Sequence, residues 1–170
     1  MKKVRENQER SAAGGTPVAI RQLRYQNDPI LRKKCKEVTV IDDKIRQMLD
    51  DMMDTLHHTE NGAAIAANQV GILKRLVVID YNDYLLKLVN PIIIDSSGEQ
   101  ECIEGCLSFP NRYVKTIRPQ KVTVQALNEH GEEFVITGEG DMAKCFCHEL
   151  EHLDGEIFLD RAIEEVSFLD

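Results

Sequence analysis

The chain has 170 residues, 42% of them apolar and 29% charged, with 29 acidic against 21 basic side chains and a formal charge of −8. That length is the size of one folding domain, and the composition is close to ordinary globular usage, which argues against wholesale disorder. No apolar run approaches the ~20 residues needed to span a bilayer, and no basic stripe offers the clustered Lys and Arg that hold phosphates, so neither a membrane nor a specific nucleic acid is an expected partner.

The opening residues, MKKVRENQER, carry basic side chains with no apolar stretch behind them, unlike a secretory signal. Residues 1–16 are polar, small and Gly-rich, and read as a flexible extension ahead of one domain over 17–170. Asp28-Pro29 marks a turn. Over 41–57, Ile41, Ile45, Met48, Leu49, Met52, Met53 and Leu56 recur on one helical face, which predicts a long amphipathic helix ended by His57 and His58. Short β-branched and aliphatic runs at Leu76–Ile79, Leu85–Val89 and Ile92–Ile94 predict strands. Lys121–Leu127 and Glu133–Thr137 flank a turn-forming stretch and predict a hairpin, with His130 at its tip. A second helix is predicted from Met142 to about Leu153, capped by Asp141 and stopped by Gly155. Strands in succession with two separated helices give an α+β class: short, mostly antiparallel sheets around the second helix, plus the long N-terminal amphipathic helix.

Five cysteines (Cys35, Cys102, Cys106, Cys145, Cys147) are an odd number. With no export signal, a reducing cytoplasmic setting with thiols or metal ligands is the better reading than a disulfide framework. Cys35, Cys102 and Cys145 read as small hydrophobes, buried or half-buried.

The strongest chemical signal is His148-Glu149-Leu150-Glu151-His152. On a helix, positions i and i+4 share a face, so both imidazoles can hold one metal ion while Glu149 reaches a water beside it as general base. A third ligand is needed. In metzincin peptidases it would be a histidine at position 158, which is Phe158 here; in gluzincins it would be a later glutamate, for which Glu164 or Glu165 leaves barely enough chain. An upstream ligand is the better expectation, and Cys106, in Glu104-Gly105-Cys106-Leu107-Ser108, offers one. Two His and one Cys with an open fourth position is a catalytic rather than a structural ligand count.

Taken together, Gly62–Gly71, Glu104–Ser108 and His148–Gly155 resemble, in order, the three signature motifs of peptide deformylases: G-x-G-x-A-A-x-Q, E-G-C-L-S and Q-H-E-x-D-H-L-x-G. The resemblance runs from about Ala19 to Ala162. It implies that Cys106, His148 and His152 bind one divalent ion, Fe(II) natively, with Zn(II), Ni(II) or Co(II) as substitutes, and that Glu149 is the general acid/base. It further implies an oxyanion site made by the Gln69 side chain and the Leu107 backbone N–H. The reaction implied is removal of formyl from the N-terminal formylmethionine of a nascent chain. The substrate backbone would pair near Gly62, Ala63, Ala64 and Gly105, with Ile65, Ile103 and Leu150 as expected walls of a methionine pocket. A deformylase-like binding module and another metal-dependent amidase or peptidase are the alternatives.

Four positions depart from the pattern: Ala64 for its second glycine, Asn68 for the usual proline, Cys147 for the glutamine and Glu151 for the aspartate. Glu151 keeps the charge, with Arg118 as its expected partner. Cys147 turns about 100° away from His148 on a helix, so it is expected to sit behind the ligands and support them rather than bind the metal itself. The extra methyl of Ala64 is expected to slow the reaction or narrow the substrate range. After Gly155 come Glu156, Asp160, Glu164, Glu165 and Asp170 against one Arg161, so any ribosome contact is expected to be transient at most.

Overall fold

The structure, a computed structural model, describes residues 19–168; the extension expected over 1–16 lies outside them. Two α-helices, α1 (Asp43–His57) and α2 (Asp141–Leu153), accompany eight strands. The strands are β1 (Ala64–Ala66), β2 (Leu76–Tyr81), β3 (Tyr84–Ser97), β4 (Gln100–Cys106), β5 (Phe109–Arg118), β6 (Lys121–Leu127), β7 (Glu133–Glu139) and β8 (Glu164–Val166). A five-stranded sheet runs β1-β2-β3-β6-β7 and a three-stranded sheet runs β4-β5-β8; every pairing in both is antiparallel. The class is α+β. No helix among the described residues is long and apolar enough to cross a membrane.

The larger sheet is covered on both faces. Val77, Ile79, Val122 and Val124 pack with Met142, Phe146, Leu150 and Leu153 of α2. Ile65, Leu76 and Val78 pack with Ile45, Leu49, Met52 and Leu56 of α1. Because successive strand residues point to opposite faces, the unbroken run Leu76–Ile79 is fully buried, two residues serving each helix. Helix α1 begins two residues later than the periodicity predicts, because Asp42 acts as its N-cap and accepts from the Ile45 N–H at 3.1 Å.

Three local differences from the sequence reading have physical causes. Leu85–Val89 and Ile92–Ile94 are parts of one strand, β3, whose register slips at Asn90-Pro91, with Asn90 at φ 51°. Asp141 is not the cap of α2 but its first residue; Gly140, at φ 60°, turns the chain into the helix. Strands β4 and β5 escape a hydrophobic reading because half of their buried positions, Glu104, Thr116 and Arg118, are polar or charged, against Cys102, Phe109 and Val114. Those inward polar groups build the site.

At the C-terminal end of α2, Gly155 has φ 75°, and a Cβ there would collide with the Arg32 backbone carbonyl. Only glycine fits, and it stops the helix as predicted. The chain then folds back on β5, where Asp160, Glu164 and Glu165 pair with Arg32, Lys115 and Arg112. The acid of this segment is thus largely matched by local cations.

Candidate metal centre and active site

Helix α2 points two imidazoles at the smaller sheet. His148 Nε2 and His152 Nε2 lie 3.2 Å apart, and Cys106 Sγ, at the end of β4, lies 3.4 Å from His152 Nε2. Sγ and the two ring nitrogens all fall within 4.8 Å of one another, the only group of three or more His, Cys, Asp or Glu among the described residues that is arranged to hold a metal ion. The donor chemistry fits a divalent transition metal: one soft thiolate and two imidazoles, leaving room for a further ligand. Burial and the neighbouring His148 hold His152 well below the usual histidine range, whereas at His148 burial is outweighed by hydrogen bonds with Cys106 and Glu104, which hold it well above that range; a metal ion takes both rings in the neutral form.

Behind the ligands stands a buried charge relay. Glu104 Oε1 accepts from His148 Nδ1 at 2.9 Å, which directs Nε2 of that ring towards Cys106 and His152. Arg118 donates to Glu104 through Nε (2.7 Å) and Nη2 (3.0 Å), and through Nη1 to Glu151 at 2.6 Å; the Thr116 hydroxyl also donates to Glu104. Burial pushes the Glu104 carboxyl up, but the hydrogen bonds from His148 and Arg118 outweigh it and hold it down at about 2. The expected Arg118–Glu151 contact is present. Glu104 and Thr116, given no role from the sequence, are the centre of the network; the Glu104-Gly105-Cys106 spacing, which puts the acid on the same strand face as the thiol, is a signal that could have marked the first of them.

Glu149 is 5% exposed, and its Oε2 has no hydrogen-bond partner. Burial pushes its carboxyl up to about 7, opposed by His148 and reinforced by Glu104. A carboxyl poised near neutrality, free at one oxygen and one residue from a ligand, is placed to take and return a proton. Gln69 is 1% exposed, in the turn Ala67–Val70. Its Oε1 accepts from the Ala66 N–H at 2.9 Å, which leaves Nε2 pointing at Ser108 Oγ (3.1 Å) and Cys106 Sγ (3.5 Å). The N-terminal segment ties both pieces down: the Arg24 N–H donates to the Gln69 carbonyl (2.7 Å) and the Gln26 N–H to the Ser108 carbonyl (3.0 Å).

These groups open into a cavity of about 680 Å³ lined by Gly62, Ala63, Ala64, Gln69, Gly105, Cys106, Leu107, His148 and Glu149 among others. A family model described as polypeptide deformylase matches residues 20–167. The chain belongs to that family. It is 62% identical over 149 residues to peptide deformylase 2 of Clostridium acetobutylicum, covering 88% of this chain and 99% of that protein. With the peptide deformylase of Acetivibrio thermocellus the identity is 48% over 146 residues, covering 86% and 85%. The crystal structure of the Thermotoga maritima peptide deformylase superposes with a TM-score of 0.81 at 34% identity, covering 85% of this chain and 99% of that one. A Synechococcus elongatus peptide deformylase in complex with actinonin gives 0.81 at 39%, covering 85% and 79%.

Against the deformylase pattern, some expected residues sit elsewhere. Ile65 is fully buried on the α1 side of the sheet, Leu150 is in the α2 core, and Ile103 faces solvent at 47% exposure; none borders the cavity. Strand parity is the reason: Ala64 and Ala66 take the α2-side face of β1, which turns Ile65 towards α1. Tyr81, Tyr113, Lys144 and Cys145 stand in the wall instead. Cys147 is buried in the core beside Phe146 and Leu150, and burial pushes its thiol up to about 11, so it is a packed thiol outside the ligand set. Asn68, fully buried where the pattern has proline, donates through Nδ2 to the His152 carbonyl at 2.5 Å and so satisfies an end carbonyl of α2. His57, expected only as a helix end, pairs its Nε2 with Asp80 on β2 at 2.7 Å.

Proposed function

We propose that the cavity binds an extended formylmethionyl peptide with Cys106, His148 and His152 holding a divalent metal ion at its floor. The activity is that of the family: a peptide deformylase, hydrolysing the formyl group from the N-terminal formylmethionine of nascent polypeptides. When bound, such an ion lowers the pKa of a water molecule towards roughly 7 and polarises a carbonyl. Glu149 takes the proton of the water that adds to the formyl carbon. The Gln69 Nε2–H and the Leu107 backbone N–H donate to the oxygen that gains charge, each worth on the order of 10²–10³-fold. The C–N bond then breaks, Glu149 returns its proton to the departing amine, and formate and a free N-terminal methionine leave. Ala63, just before edge strand β1, and Gly105, on edge strand β4, both line the cavity, which suits a peptide added as a strand between them.

The observation that carries this reading is the free, buried Glu149 carboxylate beside three converging ligand atoms. Formate release from formyl-Met-Ala, with acetyl-Met-Ala and an internal peptide as controls, tests it; cleavage of the controls at comparable rates overturns it. Fe(II) is proposed as the native ion because the chain belongs to the deformylase family; a thiolate and two imidazoles would accept Zn(II), Ni(II) and Co(II) as well, and a thiolate-bound ferrous centre is prone to oxidation in air. Cytoplasmic location is proposed on five free cysteines, which suit a reducing compartment, and ribosome contact that is at most transient on the overall charge of −8 and on a C-terminal segment whose acidic groups are paired within this chain.

A further inference from the structure

The wall of the cleft beside Cys106 is not self-supporting. Gly105, on the cavity side of edge strand β4, carries the ring of Tyr113 over it: a Cβ at position 105 would lie 2.7 Å from Tyr113 Cε1 and 2.9 Å from Cδ1. Tyr113 is itself 39% exposed and lines the cavity, as does Arg112. What backs this wall is the last described stretch of the chain. Strand β8 pairs with β5 in the register Tyr113↔Val166, Val114↔Glu165 and Lys115↔Glu164. Just beyond it, Phe168 meets Tyr113 edge to face, with centroids 5.1 Å apart and planes at 84°. Glu165 holds Arg112 at 3.0 Å, and Glu164 holds Lys115 at 2.9 Å.

We propose that Phe168 is a positioning residue for substrate selection: it fixes the Tyr113 ring over Gly105, and this ring reads the residues that follow the methionine. The inference rests on the deformylase reading of the cavity. With the formyl group at Cys106, an extended peptide advances about 3.3 Å per residue along the strand edge. The residues that follow the methionine therefore continue along the wall formed by Gly105 and the Tyr113 ring. Arg112 is matched by Glu165, so the surface offered there is aromatic rather than cationic, and it favours an apolar third side chain. Phe168 is 64% exposed and contributes little to the core, which makes a purely structural role a poor account of its contact with a cleft residue.

The test compares formyl-Met-Ala-Leu-amide with formyl-Met-amide. In Phe168→Ala, the preference for the longer substrate should fall about threefold to tenfold, through KM rather than kcat, with metal content unchanged. Phe168→Tyr, which keeps the ring, should restore the preference. Calorimetric binding of the product Met-Ala-Leu-amide to metal-loaded protein gives the same length preference without turnover. An unchanged preference in Phe168→Ala, or equal losses on both substrates, overturns the proposal while leaving the deformylase reading intact. Absence of formate release by the wild-type chain overturns that reading instead, and the calorimetric preference then decides the role of Phe168 alone.

Discussion

Arg118 grips both carboxylate oxygens of Glu104, at 2.7 and 3.0 Å, in a position where the two side chains are only 4% and 1% exposed. Such a pair contributes modest net stability, because both charges were taken from water. Its removal is a different matter. Arg118→Met leaves the buried Glu104 carboxylate without its cation, while Glu151 keeps Arg161 at 3.3 Å, and should cost about 3–5 kcal/mol, read as a Tm lower by roughly 6–20 °C. It also frees Glu104, and with it the His148 ring, so metal affinity should fall about 10–100-fold. Thermal unfolding and a metal titration check the two effects separately; unchanged metal affinity in a folded Arg118→Met protein shows that Glu104 orients His148 unaided.

The ligand set predicts all-or-none behaviour. Cys106→Ser, His148→Ala and His152→Ala should each lose metal and activity together, since three protein ligands leave none to spare. Metal analysis of anaerobically purified protein reads the result. Full occupancy in Cys106→Ser removes that residue from the set. Cys147→Ser, by contrast, should keep its metal, because that thiol lies in the core beside Phe146.

Glu149 and Gln69 should separate chemistry from metal binding. Glu149→Ala should retain the ion while kcat falls about 10²–10⁴-fold, the range of a lost general acid/base. Gln69→Leu should also retain the ion and lose on the order of 10²–10³-fold in kcat. A higher KM at unchanged kcat in Gln69→Leu would reassign its amide to holding the ground-state substrate.

Much of the site is legible in the sequence because its chemistry is local. His148, Glu149 and His152 sit within one and a half turns of helix, and Cys106 and Gln69 lie in short motifs of their own. What escapes is set by tertiary contacts. Glu104 becomes the hub of the network only because β5 brings Thr116 and Arg118 beside it, and the burial of those polar groups hides both strands from a hydrophobic pattern. The pocket walls fail for a related reason: Ile65 satisfies the composition of a wall, but the parity of a three-residue strand decides its face, and the pairing Ile65↔Val78 sends it to α1.

Ala64 poses the sharpest test of that lesson. From the sequence alone, its methyl stands where the deformylase pattern has glycine, so Ala64→Gly should speed the reaction. The structure places Ala64 in β1, paired with Ile79, 7% exposed and within the cluster that includes Val77, Ile79 and Leu150. Its methyl is therefore packed in the core, although the residue borders the cavity. Removing it gives up one buried methyl, worth ~0.8 kcal/mol, and puts glycine in a strand interior at a further cost of roughly 0.5–1 kcal/mol. The expected outcome of Ala64→Gly is a Tm lower by roughly 3–7 °C with unchanged metal content. The kcat/KM on formyl-Met-Ala should stay within about threefold of wild type, since about 1.4 kcal/mol of barrier would be needed for a tenfold change. A gain of tenfold or more would show that the methyl does crowd the reacting centre, and that the backbone of β1 has not moved to make room for it.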